Sequence, residues 1–277
     1  MSNPRLTFTG LLRSEWRKLR TMASTWVLLG LSVALSLITT ALVSSLVASI
    51  MSFSYLDGST QKKTLDLASQ TILSAPMFPG ALMALLGIMS ISNEYDSGMI
   101  RTTLTITPAR WPALTAKAVI VAAFGFSTTC AGEFIGAALG WALSRGQMTF
   151  DLFTWGGLHA WLGSSLSVML FALMGLATGV LMRRAVIAAL TLLLGVMLVL
   201  PYVAMMVFSA AGGDSAILWY LPSFAAFFVY ADPIMQSFNV GDSLNGFGLS
   251  TGSAIIAMVG WTLLPLVGAY VRFEKTD

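Results

Sequence analysis

Long apolar runs, separated by short polar breaks, dominate the chain. A helix needs about 20 mostly apolar residues to cross a bilayer. Six stretches qualify: about 26–51, 72–92, 115–143, 158–182, 186–211 and 252–271. The pattern predicts an all-α integral membrane protein, residues 1–277 forming a single six-helix transmembrane domain with no nucleotide-binding domain. Pro201 falls inside the fifth run, where neighbouring helices can satisfy the carbonyl it frees, so a kink is expected. The dipeptide Arg183-Arg184 is the whole break between the fourth and fifth runs, which predicts an antiparallel hairpin.

Two segments outside these runs are also patterned. Phe8, Leu11, Leu12, Trp16 and Leu19 recur at helical spacing, with Arg13, Arg17, Lys18 and Arg20 toward the other sides. This predicts an amphipathic basic helix at the inner membrane surface, where anionic lipid attracts it. A topology anchor is the plainer alternative; the functional one is an elbow helix, with Glu15, Trp16, Arg17 and Lys18 facing a cytoplasmic partner. The second segment, about 212–251, carries many aromatics, among them Trp219, Tyr220, Phe224 and Tyr230, and is broken by Pro222 and Pro233. It predicts short interfacial or re-entrant helices between spans five and six, or else an aromatic belt that anchors those spans.

Composition agrees: 56% of the 277 residues are apolar and 10% are charged, against about 25% charged in soluble domains. Mean hydropathy is +0.81. The first apolar run is too long for a cleavable signal peptide and reads as an uncleaved span. All but three of the 15 lysines and arginines fall on segments that are cytoplasmic if the N-terminus is inside; Lys62, Lys63 and Arg145 are the exceptions. The positive-inside rule therefore puts both termini in the cytoplasm, across a plasma membrane. The basic residues sit at helix ends rather than on one patch, which argues against nucleic acid. One cysteine, Cys130, and one histidine, His159, exclude an intrachain disulfide and an ordinary zinc site.

Candidate chemistry is sparse. Glu133 lies within span three, where an acid costs about 2.5–3.5 kcal/mol on insertion scales and is functional by default. It is a candidate polar contact for substrate, a proton carrier, or a hydrogen-bonded packing residue. Gly132, Gly136 and Gly140, and Gly175 and Gly179, are spaced for close helix approach, within one subunit more readily than across a dimer seam. No HExxH, GxSxG or Walker loop is present, so no catalytic site is expected. Gly163-Ser164-Ser165, just after His159, is only a weak hint of a membrane hydrolase.

The cytoplasmic stretch Asn93–Trp111, NEYDSGMIRTTLTITPARW, continues the second run without a turn signal and reads as a compact charged elbow. Together with Ser14–Trp26, SEWRKLRTMASTW, the Leu221-Pro222-Ser223 element and the six-span plan, it resembles the ABC-2-type permeases, membrane subunits of type V ATP-binding cassette exporters in bacteria, especially actinobacteria. The loop matches the form E-Y-x-x-G-x-I-R-T-x-L. The resemblance covers nearly the whole chain and implies a dimer with a second permease copy or paralogue, and two copies of a soluble ABC ATPase. ATP and magnesium would bind in the ATPase and none in this chain. Glu94, Tyr95, Gly98, Ile100 and Arg101 would couple to the ATPase, and Leu221, Pro222 and Ser223 would belong to the outer gate. The expected activity is export of a hydrophobic or amphipathic substrate. The alternatives are an ion-gradient-driven transporter using Glu133 and a non-transporting scaffold.

Overall fold

A computed structural model describes residues 7–53, 65, 77–99, 110–145, 155–211, 215–237 and 249–275. Among them there are helices and no strands. In chain order they are α1 (Phe8–Thr21), α2 (Ala23–Phe53), α3 (Met77–Asp96), α4 (Arg110–Leu143) and α5 (Trp155–Met182). Then come α6 (Ala185–Ala210), a 3-10 turn (Ser215–Tyr220), α7 (Pro222–Ser237) and α8 (Thr251–Glu274). Thr7 caps α1 by accepting from the Gly10 N–H at 3.3 Å. Ser250 caps α8 in the same way through Ser253. Each cap satisfies a backbone donor that the first helical turn leaves unpaired.

Five of these helices, α2, α4, α5, α6 and α8, are long and apolar enough to cross a membrane. The helix at the predicted second span, α3, falls outside that set among the described residues. Asn93, Glu94 and Asp96 occupy its last turn, and the N-terminal part of the predicted span, 72–76, lies outside the described residues. Yet α3 is well enclosed: Met83, Ala84, Ile88 and Ile91 are fully buried.

The bundle is organised around α5, which packs against α3, α4, α7 and α8. Glycines permit its contact with α3. A Cβ at Gly175 would overlap the Ala84 carbonyl, and one at Gly87 would overlap the Ala172 carbonyl. At Gly179 it would stand 2.6 Å from Ile91 Cγ2. The two backbones therefore touch directly, and dispersion rather than water exclusion holds them. Gly132 serves a looser contact, with Ser36 of α2 3.5 Å from its would-be Cβ. Along α2, Ser32, Ser36, Thr40 and Ser44 recur every four residues and are all buried. Ser36 and Thr40 donate back to carbonyls one turn earlier, while the Ser44 hydroxyl has no partner among the described residues; this hydroxylated face packs on α4.

The fifth run is more than a kinked helix. The hairpin forms as expected, with Arg183 at φ 57° in the two-residue turn. Beyond Ala185–Ala189, however, Leu190–Val199 is π-helical, and α-helical geometry returns at Leu200–Ala210 with Pro201 in its first turn. π-helix is normally confined to single-turn bulges. The proline's missing N–H accounts for an interrupted hydrogen-bond ladder here, though not for the full ten-residue length of the π segment.

The glycine contacts yield a prediction. Gly175→Ala must push against backbone, whereas Gly132→Ala meets ordinary van der Waals distances. The first is expected to cost about 1–3 kcal/mol or more and the second to be close to neutral, read as thermal unfolding midpoints of the detergent-solubilised protein.

Candidate functional site

The described charges concentrate at one end of the bundle. There α1 lies beside the last turn of α3 and the first turns of α4. Four charged side chains meet in a closed ring. Lys117 Nζ lies 2.5 Å from Glu15 Oε2 and 2.9 Å from Glu94 Oε1. Lys18 Nζ lies 2.6 Å from Glu15 Oε1 and 2.9 Å from Glu94 Oε1. Each lysine touches both carboxylates and each carboxylate both lysines, so the ring is electroneutral. Lys117 also donates to the Ser90 carbonyl at 3.1 Å, which ties α4 to the α3 backbone.

Local sequence explains why these groups converge. Glu15 and Lys18, three residues apart on α1, lie near one face of the helix. That same face carries Leu19, which is buried against Met83, Leu86, Ile120 and Val121. Trp16 stacks on Phe124 with ring centroids 4.9 Å apart. Apolar packing therefore holds α1 against α4 and delivers Glu15 to Lys117.

Glu15, Glu94 and Lys117 are only 4%, 6% and 5% exposed. Burial on its own would push the Glu94 carboxyl up, but the Lys117 and Lys18 charges outweigh it and hold the group below 4.5. Burial likewise pulls Lys18 down, but the Glu15 hydrogen bond and the two carboxylate charges raise it above 10.5.

Of the residues expected to couple, Glu94 thus lies inside the ring, and Tyr95 packs next to it. The Arg183 guanidinium carbon stands 5.8 Å from the Tyr95 ring centre, joining the end of α3 to the α5–α6 hairpin. Burial lifts the Tyr95 phenol above 10.0 despite the opposing Arg183 and Arg272 charges. Gly98 adopts φ 70°, a left-handed conformation suited to glycine, and lets the chain turn after α3. Ile100 and Arg101 lie outside the described residues. On α1, Trp16 and Arg17 are both exposed.

Two predicted features occur elsewhere. Glu133 is 3% exposed; Ser164 Oγ lies 2.8 Å from its Oε2 and 2.9 Å from the Trp161 carbonyl. Its Oε1 has no hydrogen-bond partner among the described residues. Neighbouring contacts join Cys130 to Ser165 and the Trp161 indole to the Cys130 carbonyl. The remaining feature is Leu221-Pro222-Ser223, which begins α7. The Leu221 carbonyl accepts from the Ala225 N–H at 2.8 Å, and Pro222 takes the first helical position, where no N–H is needed. Ser223 Oγ donates to the Met197 carbonyl at 2.6 Å. Met197 lies in the π-helical segment just before Pro201, whose missing N–H interrupts the ladder. The start of α7 thus supplies a donor to α6 at that interruption.

Lys117 and Met197 were not singled out from sequence as site residues. Lys117 did carry a signal, a lone ammonium within the predicted 115–143 span, but it entered only the charge bias. No group of three or more His, Cys, Asp or Glu that could hold a metal occurs among the described residues.

The family described as ABC-2 family transporter protein matches residues 10–277. The chain belongs to the ABC-2 family of transporter proteins. No curated protein sequence matches the chain. An ABC-2 permease is a multi-pass membrane subunit without catalysis of its own, and membership implies an ABC ATPase subunit as partner. In this permease the ring lies where α3 ends and α4 begins, the two helices that residues 97–109 connect in sequence.

Three predictions follow from this geometry. Lys117→Met leaves two buried carboxylates facing one lysine and should cost about 3 kcal/mol, seen as a lowered thermal midpoint. Glu94, held below 4.5, contributes fully above pH 4.5 and loses its contribution as pH falls through its lower folded value. Lys18, held above 10.5, contributes fully below pH 10.5 and loses it as pH rises through its higher folded value. Neither group should therefore tilt the thermal midpoint between those limits, and stability should fall outside them. Ser223→Ala should cost about 1 kcal/mol by removing the hydroxyl's hydrogen bond to the Met197 carbonyl, measured in the same way.

Proposed function

We propose that this permease exports a hydrophobic or amphipathic substrate across the plasma membrane, driven by ATP hydrolysed in separate subunits. The proposed assembly pairs it with a second copy or a paralogue and with two ABC ATPase subunits that bind the ATP and magnesium. Six spans, with α3 as the second, return both termini to the cytoplasm and place the ring on the cytoplasmic side, in keeping with the positive-inside rule.

The observation that carries this reading is the buried ring. A contact that receives force must not yield before the bundle does. The segment 97–109 is flanked by α3 and α4, and Glu94 and Lys117 lock those two helices to each other and to α1. A displacement of the segment by the ATPase would thus move three helices together. The close backbone contact of α3 with α5 would pass it into the bundle. ATP need only bind one state of the ATPase pair more tightly than the other to shift the permease between inward-open and outward-open forms. Ser223 and Met197 would then join the outer segment, built from the 3-10 turn and α7, to span five.

The test is substrate-stimulated ATPase activity of the reconstituted complex. Glu94→Lys places a third ammonium in the ring, and Arg101→Glu reverses a charge in the loop. Both are expected to lower stimulation at least about tenfold, a loss of about 1.4 kcal/mol of coupling, with membrane insertion and co-purification of the ATPase retained. Normal stimulation in both variants would refute the coupling role. Transport by the permease alone, driven by a proton gradient and abolished by Glu133→Gln, would favour the ion-driven alternative.

A further inference from the structure

The ring uses one face of α1 and leaves another untouched. Arg13, Arg17 and Arg20 fall within about 60° of one another around the helix axis, because residues four and seven apart return to nearly the same direction. Glu15 and Leu19, the buried residues of α1, face the opposite side. All three arginines are exposed. None of them forms an ion pair with another described residue, and the ring is already neutral. Among the described residues, the stripe therefore presents three guanidinium groups without a carboxylate partner.

Its depth argues for what covers it. Only Met22 separates α1 from α2, so Arg20 cannot move far from the point where α2 meets the membrane. The Trp26 indole donates to the Arg20 carbonyl at 2.8 Å, while its ring is 55% exposed, the amphipathic placement expected at a headgroup boundary. On α4, Lys117 stands seven residues, about 10 Å, from the first helical residue. That helix has 34 residues, about 50 Å in length, against a hydrocarbon core of about 30 Å. If the excess is shared between its ends, the ring sits at headgroup level and the stripe beside it.

We infer that Arg13, Arg17 and Arg20 form a binding surface for the phosphate-bearing headgroups of anionic phospholipids. Guanidinium groups suit this, since their planar donors match phosphate oxygens in pairs. The lipid would hold α1 flat from outside while the ring holds it from within. The coupling reading rests on the ring and on the loop that follows α3 in sequence, not on this stripe, so the inference stands apart from the coupling role.

The full-length, delipidated permease in neutral detergent tests this directly. Phosphatidylglycerol and phosphatidylcholine with identical acyl chains are added separately, and bound lipid is counted by native mass spectrometry alongside the thermal midpoint. Phosphatidylglycerol should bind and stabilise the protein; phosphatidylcholine and inorganic phosphate should do much less. The preference of the unaltered protein should fade as sodium chloride is raised to about 0.5 M. Replacing Arg13, Arg17 and Arg20 with Gln should weaken phosphatidylglycerol binding by about fivefold per arginine. Lysine at the same positions keeps the charge but not the paired donors and should bind between the unaltered protein and the Gln variant, and Lys275→Gln should leave binding unchanged. The inference is overturned if the two lipids bind alike, if salt has no effect, or if the Gln variant keeps the preference. It is equally overturned if that variant keeps its lipid but loses the ATPase subunit, which would make the stripe a protein-docking face. Should the Gln variant fail to insert, the lipid comparison and the salt titration on unaltered protein decide the matter.

Discussion

Four charges at one end of the bundle, three of them buried and Lys18 half-buried, set a constraint that the surrounding helices must meet. Removing a carboxylate or an ammonium from water costs several kcal/mol per ion even after relaxation. Only a complete set of partners offsets that cost. Here every member has two opposite charges within 3 Å, and Lys117 spends a further proton on the Ser90 carbonyl. Such a ring adds little net stability over apolar side chains of the same volume. Its effect is positional, because the chain reaches low energy only when α1, α3 and α4 hold one arrangement. A slip of α1 by a single residue would turn Glu15 away and strand Lys117 and Glu94. Apolar contacts alone, such as Leu19 against Met83 and Ile120, would tolerate that slip far better.

The helix beside the ring extends this constraint through the bundle. Where Gly87 and Gly175 bring the α3 and α5 backbones together, no flexible side chain lies between them to absorb motion. On the far side of α5, Gly163 meets the backbone of α7 at Val229, and Ser167 reaches the Ala226 carbonyl at 3.4 Å. Glycines and serines at these crossings make α5 a bar in tight contact with both α3 and α7. Most of α6 lies on the outside by contrast, with Ala188, Leu192 and Pro201 as its buried residues.

Much of this was legible in the chain and some of it was not. Apolar runs announce spanning helices because the bilayer demands length and hydropathy together, and α2, α4, α5, α6 and α8 follow the predicted runs closely. The tight hairpin at Arg183-Arg184 was also readable, as was the close approach at Gly175 and Gly179. Glu94 could be identified from its loop motif, but a motif does not say which way a side chain faces. Its burial depends on Lys18 and Lys117, which are 76 and 23 residues away in sequence. Lys117 was hidden by a rule that counts lysines for orientation and so explains each one before its partners are sought. The π-helical stretch of α6 has no sequence signature beyond Pro201.

The contact between Ser223 and Met197 shows why that last gap is physical. A proline in a membrane helix announces an interrupted ladder in the turn before it, so the need for a donor near Met197 can be read from Pro201 alone. Which donor answers is a tertiary fact. Lipid offers none, water is scarce at that depth, and any hydroxyl brought close enough would serve. Pro222 starts α7 one residue before Ser223 and fixes the direction in which that hydroxyl leaves the turn. Two prolines on separate elements thus set, respectively, the interruption and the group that bonds there. Either one alone would read as a helix breaker; only the folded bundle makes them complementary.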